Sequence, residues 1–241
     1  MSAVWNGDGA VSPLRPDLAP DWLAQLVERA ADLGPGQIGQ RRLVPPKGGG
    51  HRRAAVLIAF GEGPEGPDLL LVERASTLRE HAGQVAFPGG GADAGDADAV
   101  ATALREAEEE TGLDPAGVVP LAQLPDLYVP PSNFVVAPVL GHWAHPVAVH
   151  AVDLGETASV ARVPIAQLVD PANRFTVAHP SGFSGPGFAV SGLLVWGFTG
   201  GLLAALLDLG GWARPWDTTV VRTLDDAWSW ARRVQQEVDS R

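Results

Sequence analysis

Nine residues, REAEEETGL at 105–113, restrict the possible folds more than any other stretch of the chain. They hold Glu106, Glu108, Glu109 and Glu110 and close on Gly112-Leu113. Val100, Leu104, Ala107 and Thr111 fall on one helical stripe, so the segment reads as an amphipathic helix with Gly112 as its C-cap. On that helix Glu106 and Glu110 are a like-charge i,i+4 pair, which costs about 0.2–0.5 kcal/mol. The acids also crowd the negative end of the macrodipole, where cations are preferred. At about 100° per residue, Glu106, Glu109 and Glu110 fall within about a 100° arc, while Glu108 points away into solvent. Carboxylates collected on one helix face, after glycines at 89–91, are the oxygen-ligand pattern of Mg2+ or Mn2+. For an isolated EAEEE run, a solvated acidic face is the better reading. The neighbouring sequence decides between the two.

Upstream, AAVLIAF at 54–60 is a continuous apolar run suited to a buried strand, and DLLLVER at 68–74 is its hairpin partner. PDWLAQLVERAADLG, at 20–34, keeps Trp22, Leu26 and Ala30 at helical spacing behind an Asp21 N-cap. Downstream, residues 118–143 read as short strands broken by prolines. ASVARVPIAQLVDP reads as a strand and a Pro-started helix, FAVSGLLVW as one strand, GFTGGLLAALLDLG as a helix and 224–238 as a capped terminal helix. This order predicts an α/β fold layered around a mixed sheet. The expected division is an N-terminal helical extension at 1–40, a main domain at 41–211 and a C-terminal helical extension at 212–241.

The net charge of −11 argues against nucleic-acid or anionic-membrane partners. An anionic small molecule remains compatible where cations neutralise it locally. The absence of cysteine removes thiolate metal sites and cysteine nucleophiles and suits a reducing, cytoplasmic setting. The start, MSAVWNGDGA, has neither a basic nor an apolar signal region. The apolar stretch at 193–207 is shorter than the roughly 20 residues of a spanning helix. Its glycine-rich helix suits either the core or a homodimer contact. His142 and His145 in HWAH lack the further ligands of a zinc cluster.

The stretch from Gly91 to Leu113 resembles the signature box of the Nudix hydrolases: G, five residues, E, seven residues, R-E-U-x-E-E-x-G-U, with U a bulky aliphatic. Gly91, Arg105, Glu106, Ala107, Glu109, Glu110, Gly112 and Leu113 match in register. Ala97 stands where the box has its first glutamate, flanked by Asp96 and Asp98, and Asp96 takes that place if counted from Gly90. Ala107 is small for its position. Just upstream, residues 70–90 resemble the accessory motif of the coenzyme A pyrophosphatase branch at Leu70, Leu71, Arg74, Ala75, Arg79, Gly83, Phe87, Pro88, Gly89 and Gly90, with Val72 in place of a threonine.

The resemblance implies a Nudix-type α/β/α sandwich and divalent-metal-dependent hydrolysis of a nucleotide-linked diphosphate. Coenzyme A or its acyl derivatives are the implied substrate. NADH, ADP-ribose, a modified nucleoside triphosphate, or a non-catalytic nucleotide sensor are the alternatives. Glu106 and Glu110 are the expected metal ligands, with Glu109 a third ligand or the holder of a metal-bound water. Arg105 is expected to pair with a carboxylate and fix helix and loop. Gly89, Gly90 and Gly91 let backbone approach metal and phosphate. Arg74 and Arg79 are the expected phosphate binders, since guanidinium grips phosphate bidentately. Glu156, nine residues before Ile165, is the candidate general base, with an ordinary loop carboxylate as the competing reading. The basic segment holding Arg41, Arg42, Lys47, Arg52 and Arg53 is a candidate contact for a 3′-phosphate.

Overall fold

The computed structural model describes residues 12–38, 50–78 and 81–239. The first helix, α1, spans Asp21–Ala31 and buries Leu23, Leu26, Val27 and Ala30. Its cap is Pro20, one residue earlier than expected. Asp21 is instead the first helical residue, where its charge still complements the macrodipole. Trp22 is only partly buried, and its indole N–H donates to Glu62 at 2.6 Å.

β1 (Arg52–Gly63) and β2 (Gly66–Arg74) form the expected hairpin, closed at Gly63↔Gly66. Two short strands follow, β3 (Val85–Ala86) and β4 (Gly89–Gly91), then helix α2 (Ala99–Thr111). Next come β5 (Val118–Gln123), β6 (Leu127–Val129), β7 (Phe134–Trp143), β8 (Thr157–Pro164) and the short α3 (Ile165–Val169). Among the described residues the first sheet has the order β3-β2-β1-β7-β5, with β4 on β1, β6 on β7 and β8 on β2. β1 and β7 run parallel, from Arg52↔Phe134 to Phe60↔His142, within an otherwise antiparallel sheet.

The alternation of β1 explains the layers. Ala55, Leu57 and Ala59 pack with Ala99, Val100, Ala103 and Ala107 of α2. Ile58 and Phe60 point the other way, into a core shared with α1 and with α4 (Gly197–Leu209). A strand buried on both faces reads as an uninterrupted apolar run, as AAVLIAF does. The result is the expected α/β/α sandwich with a mixed sheet.

A second sheet holds β9 (Arg174–Ala178), β10 (Ser184–Val190), β11 (Leu193–Val195) and β12 (Val221–Thr223), backed by α5 (Leu224–Asp239). FAVSGLLVW, expected as one strand, is a hairpin of two. Ser191 and Gly192 both have left-handed φ, 49° and 74°, the geometry of a tight two-residue turn. The Asp226 N–H donates to the Thr223 hydroxyl at 3.2 Å, and that hydroxyl donates to Asp226 Oδ2 at 2.7 Å, capping α5. Among the described residues no helix is long and apolar enough to cross a membrane.

Candidate active site

α2 starts and stops where its sequence dictates. The Asp98 carboxylate accepts from the Ala101 N–H at 2.8 Å, satisfying one of the free donors of the first turn. Gly112 adopts the left-handed conformation at φ 67° and donates to the Glu108 carbonyl at 2.8 Å. The helix packs its small residues on β1, which leaves its glutamate face against β4.

Arg105 is the hub of that face. Its Nε and Nη2 donate to the two carboxylate oxygens of Asp96 at 3.0 and 2.9 Å. Nη2 also donates to the Gly91 carbonyl at 3.0 Å. Nη1 donates to Glu106 at 3.0 Å and to Glu109 at 2.9 Å. The hydrogen bonds to Asp96 are the main reason the guanidinium is held above its ordinary pKa. Asp96 is 7% exposed and also accepts from the Thr102 hydroxyl at 2.8 Å and the Asp93 N–H at 2.9 Å. Burial pushes its carboxyl up, but the bonds from Arg105, Asp93 and Thr102 outweigh burial and hold it below the ordinary carboxylate value. Asp96, one residue before Ala97, therefore makes the fork-to-fork pair with the box arginine.

The other end of the face differs. The Glu106 carboxylate lies against Gly90 in the space that a β-carbon there would occupy. Glu110 accepts from the Gly89 N–H at 2.9 Å, and Arg74 Nη1 approaches it at only 4.0 Å. Burial raises the Glu106 carboxyl above its ordinary value, and Arg105 offsets this only in part. Burial pushes Glu110 up to about 7; the Gly89 N–H and Arg74 oppose the shift, while the charges of Glu106 and Glu156 add to it. Gly89 has no room for a side chain, since a β-carbon would stand 2.6 Å from Val56 Cα. Gly89 and Gly90 thus bring backbone against the carboxylates.

The remaining expected site residues stand in different settings. Arg74 ends β2 beside Glu110. Glu156 lies in an exposed turn, its N–H donating to the Asp153 carbonyl at 3.1 Å and its carbonyl accepting from Ala75 at 2.8 Å. Glu109 is 60% exposed and leans to Arg105. Glu108 is exposed, as expected. Arg79 lies outside the described residues, as do Arg41, Arg42 and Lys47. Among the described residues no three His, Asp or Glu side chains are grouped as a ready-made ion site. The donor chemistry nevertheless fits a divalent cation. Glu106 and Glu110 are mostly buried, repel one another and face a backbone that cannot carry side chains. A cation between them would remove the repulsion.

Two contacts escaped the sequence. Loop residues His150 and Val152 donate their N–H groups to the Thr111 and Glu110 carbonyls at 3.0 and 3.3 Å, closing the end of α2. The Phe134 ring stands 4.0 Å from the position of a β-carbon on Gly91. Ser132-Asn133 after two prolines was the available signal for a turn there; Asn133 is left-handed at φ 54°.

A glycine strand facing a helix with two under-compensated carboxylates and one anchored arginine makes an acidic centre whose donor chemistry suits a divalent cation. The chain belongs to the Nudix hydrolase family: the NUDIX domain model matches residues 50–180. The "Uncharacterized Nudix hydrolase NudL" of Cronobacter sakazakii is 40% identical over 168 residues, spanning 66% of this chain and 84% of the relative. The protein of that name from Escherichia coli K12 is 50% identical over 91 residues, so the match spans 38% of this chain and 46% of that relative. Among solved structures, the Mycobacterium smegmatis Nudix hydrolase RenU aligns with a TM-score of 0.42 at 23% identity, over 51% of this chain and 76% of that one. The NUDIX domain of Shewanella oneidensis NrtR, complexed with ADP ribose, aligns at 0.41 and 20% identity, over 52% and 80%. Nudix hydrolases work with a divalent metal, and the carboxylate pair on α2 fits one.

Proposed function

We propose that this Nudix hydrolase cleaves the phosphoanhydride of coenzyme A or acyl-coenzyme A, giving 3′,5′-ADP and (acyl-)4′-phosphopantetheine. The observation that carries the reaction type is the pair Glu106 and Glu110, mostly buried against Gly89 and Gly90 with too little counter-charge. Support for the substrate comes from the accessory motif at 70–90, whose residues Arg74, Gly89 and Gly90 lie against that pair.

Glu106 and Glu110 would hold Mg2+ or Mn2+, with Glu109 a third ligand or the holder of an ion-bound water. Such an ion neutralises phosphate oxygens and makes a bound water more acidic. Arg74, at the rim beside Glu110, grips a phosphate oxygen of the diphosphate, and Arg79 is the second phosphate-binding arginine. Arg105, pinned by Asp96, holds the Gly91 carbonyl and the acidic face in a fixed relation. Glu156, in its exposed turn, takes the proton of the attacking water. The site is offered to a small nucleotide rather than to nucleic acid or membrane, in keeping with the net charge of −11.

A substrate panel with Mg2+ or Mn2+ and product identification tests this. It includes coenzyme A, acyl derivatives, NADH, ADP-ribose and diadenosine polyphosphates. The expected outcome is preferential release of 3′,5′-ADP. Preference for another nucleotide would overturn the substrate, and inertness on the whole panel would favour a nucleotide sensor. Glu156→Gln should lower kcat far more than it raises KM; an unchanged rate removes Glu156 as the base.

A further inference from the structure

The start of β1 carries two neighbouring arginines with opposite circumstances. Arg53 is spent within the fold: its Nη1 lies 2.7 Å from Asp126 Oδ2. Arg52 is exposed, and no ion pair holds it among the described residues. Its guanidinium lies over the Phe134 ring, 4.1 Å from the centroid. A planar cation stacked on an aromatic face is pre-oriented, with its N–H edges left for an anion.

The platform under it is fixed. The Arg52 N–H donates to the Asn133 carbonyl at 3.1 Å. The His51 ring N–H and the Tyr128 hydroxyl converge on Asn133 Oδ1 at 2.9 and 3.1 Å, and Asn133 Nδ2 donates to the Gly50 carbonyl at 3.2 Å. Little conformational freedom is left for a ligand to freeze.

Position gives the stack its meaning. Gly91 pairs with Ala54 across the β1–β4 ladder, so Arg52 is two residues further along β1. Strand geometry places its Cα about 6.6 Å along and about 4.8 Å across from Gly91. The Gly91 carbonyl faces Arg105, and its open α-carbon faces Phe134. Gly91 thus stands between the acidic centre and an arginine that has no ion-pair partner among the described residues. Arg74 stands at the far end of β4, beside Glu110 and Gly89. Arginines therefore stand beyond both ends of β4, Arg74 beside Glu110 and Arg52 past Gly91 on the sheet face that carries Phe134.

We infer that Arg52, held flat on Phe134, is the specificity-determining contact for a phosphomonoester of the substrate, the 3′-phosphate in coenzyme A. The inference rests on the substrate reading above. Kinetics with coenzyme A and its dephospho form test it on wild type and Arg52→Ala. Calorimetric binding of adenosine 3′,5′-bisphosphate and AMP to both proteins gives a readout free of hydrolysis. Loss of one charge-assisted contact should raise the ratio of KM for coenzyme A to KM for dephospho-coenzyme A about tenfold, with kcat for coenzyme A within twofold. The variant should also lose the tighter binding of the bisphosphate over AMP. An unchanged ratio together with unchanged binding preference overturns the inference. If wild type cleaves neither form of coenzyme A, the substrate reading fails. The binding arm then decides: a bisphosphate preference abolished by Arg52→Ala upholds the contact, and equal binding of the two ligands overturns it.

Discussion

Asp96, in the loop that leads into α2, and Glu110, in the last turn of α2, carry the same kind of side chain and solve opposite problems. At the Asp96 end the carboxylate has four hydrogen bonds from Arg105, Thr102 and Asp93, and its pKa is depressed. At the Glu110 end the carboxylate has one backbone N–H and a distant arginine, and its carboxyl is pushed up to about 7. Burial is common to both, so the difference lies in compensation. A buried charge that is saturated by its own chain serves geometry, whereas one left short of counter-charge is reserved for a ligand. On the proposed reading Asp96 and Arg105 would position the site, and Glu106 and Glu110 would work in it.

The largest effect that would break the contrast is on turnover. Glu110→Gln keeps shape but removes the charge, and hydrolysis with Mg2+ should fall about 10²–10³-fold in steady-state assays. A rate within a few-fold of wild type would place the reactive end elsewhere. Asp96→Asn should act differently, since it strands the arginine. Loss of this largely buried pair should cost about 2–3 kcal/mol in chemical denaturation, with a smaller loss of kcat. Ala97→Glu in that background sharpens the point: recovered stability would show that residues 96 and 97 compete for one anchoring role.

The two ends should also oppose one another in pH dependence. Glu110 holds its proton more tightly in the folded protein than its ordinary value of 4.5 allows. Its contribution is therefore fully present below pH 4.5 and lost as pH rises through about 7. Asp96, with a depressed value, contributes above its ordinary 3.8 and loses that contribution as pH falls through its folded value. In metal-free thermal melts, Glu110→Gln should flatten the decline between pH 5 and 8, at about 2–4 °C for each kcal/mol removed. Asp96→Asn should leave that decline, lower stability at every pH where Asp96 is ionised, and flatten the loss that wild type shows as pH falls through the folded value. The smallest effect belongs to Glu108→Gln, exposed on another face, where activity should stay within about twofold.

What was legible in the sequence follows from how far apart the interacting residues lie. The β1–β2 hairpin and α2 show in local patterns, an apolar run beside a turn and a capped helix, so their limits shift by only a few residues. The crowding of Glu106, Glu109 and Glu110 is likewise local, and repulsion makes it conspicuous. The Ser191-Gly192 turn was legible in principle, since Ser-Gly between apolar runs is a turn signal, but the uninterrupted apolar composition hid it. The stack of Arg52 on Phe134 depends on parallel pairing of β1 with β7, which are separated in the chain by five other strands and α2, and no local pattern encodes it. The bonds from His150 and Val152 to α2 run through backbone N–H groups, which any non-proline residue supplies.

The central claim is that the under-compensated end of α2 awaits a cation. Calorimetric titration of Mn2+ into wild type, Glu110→Gln and Asp96→Asn at pH 8 measures this directly. The account predicts that wild type binds Mn2+, that Glu110→Gln weakens binding at least about tenfold, and that Asp96→Asn retains much more affinity than Glu110→Gln. Equal affinity in wild type and Glu110→Gln, or greater damage from Asp96→Asn, would contradict it.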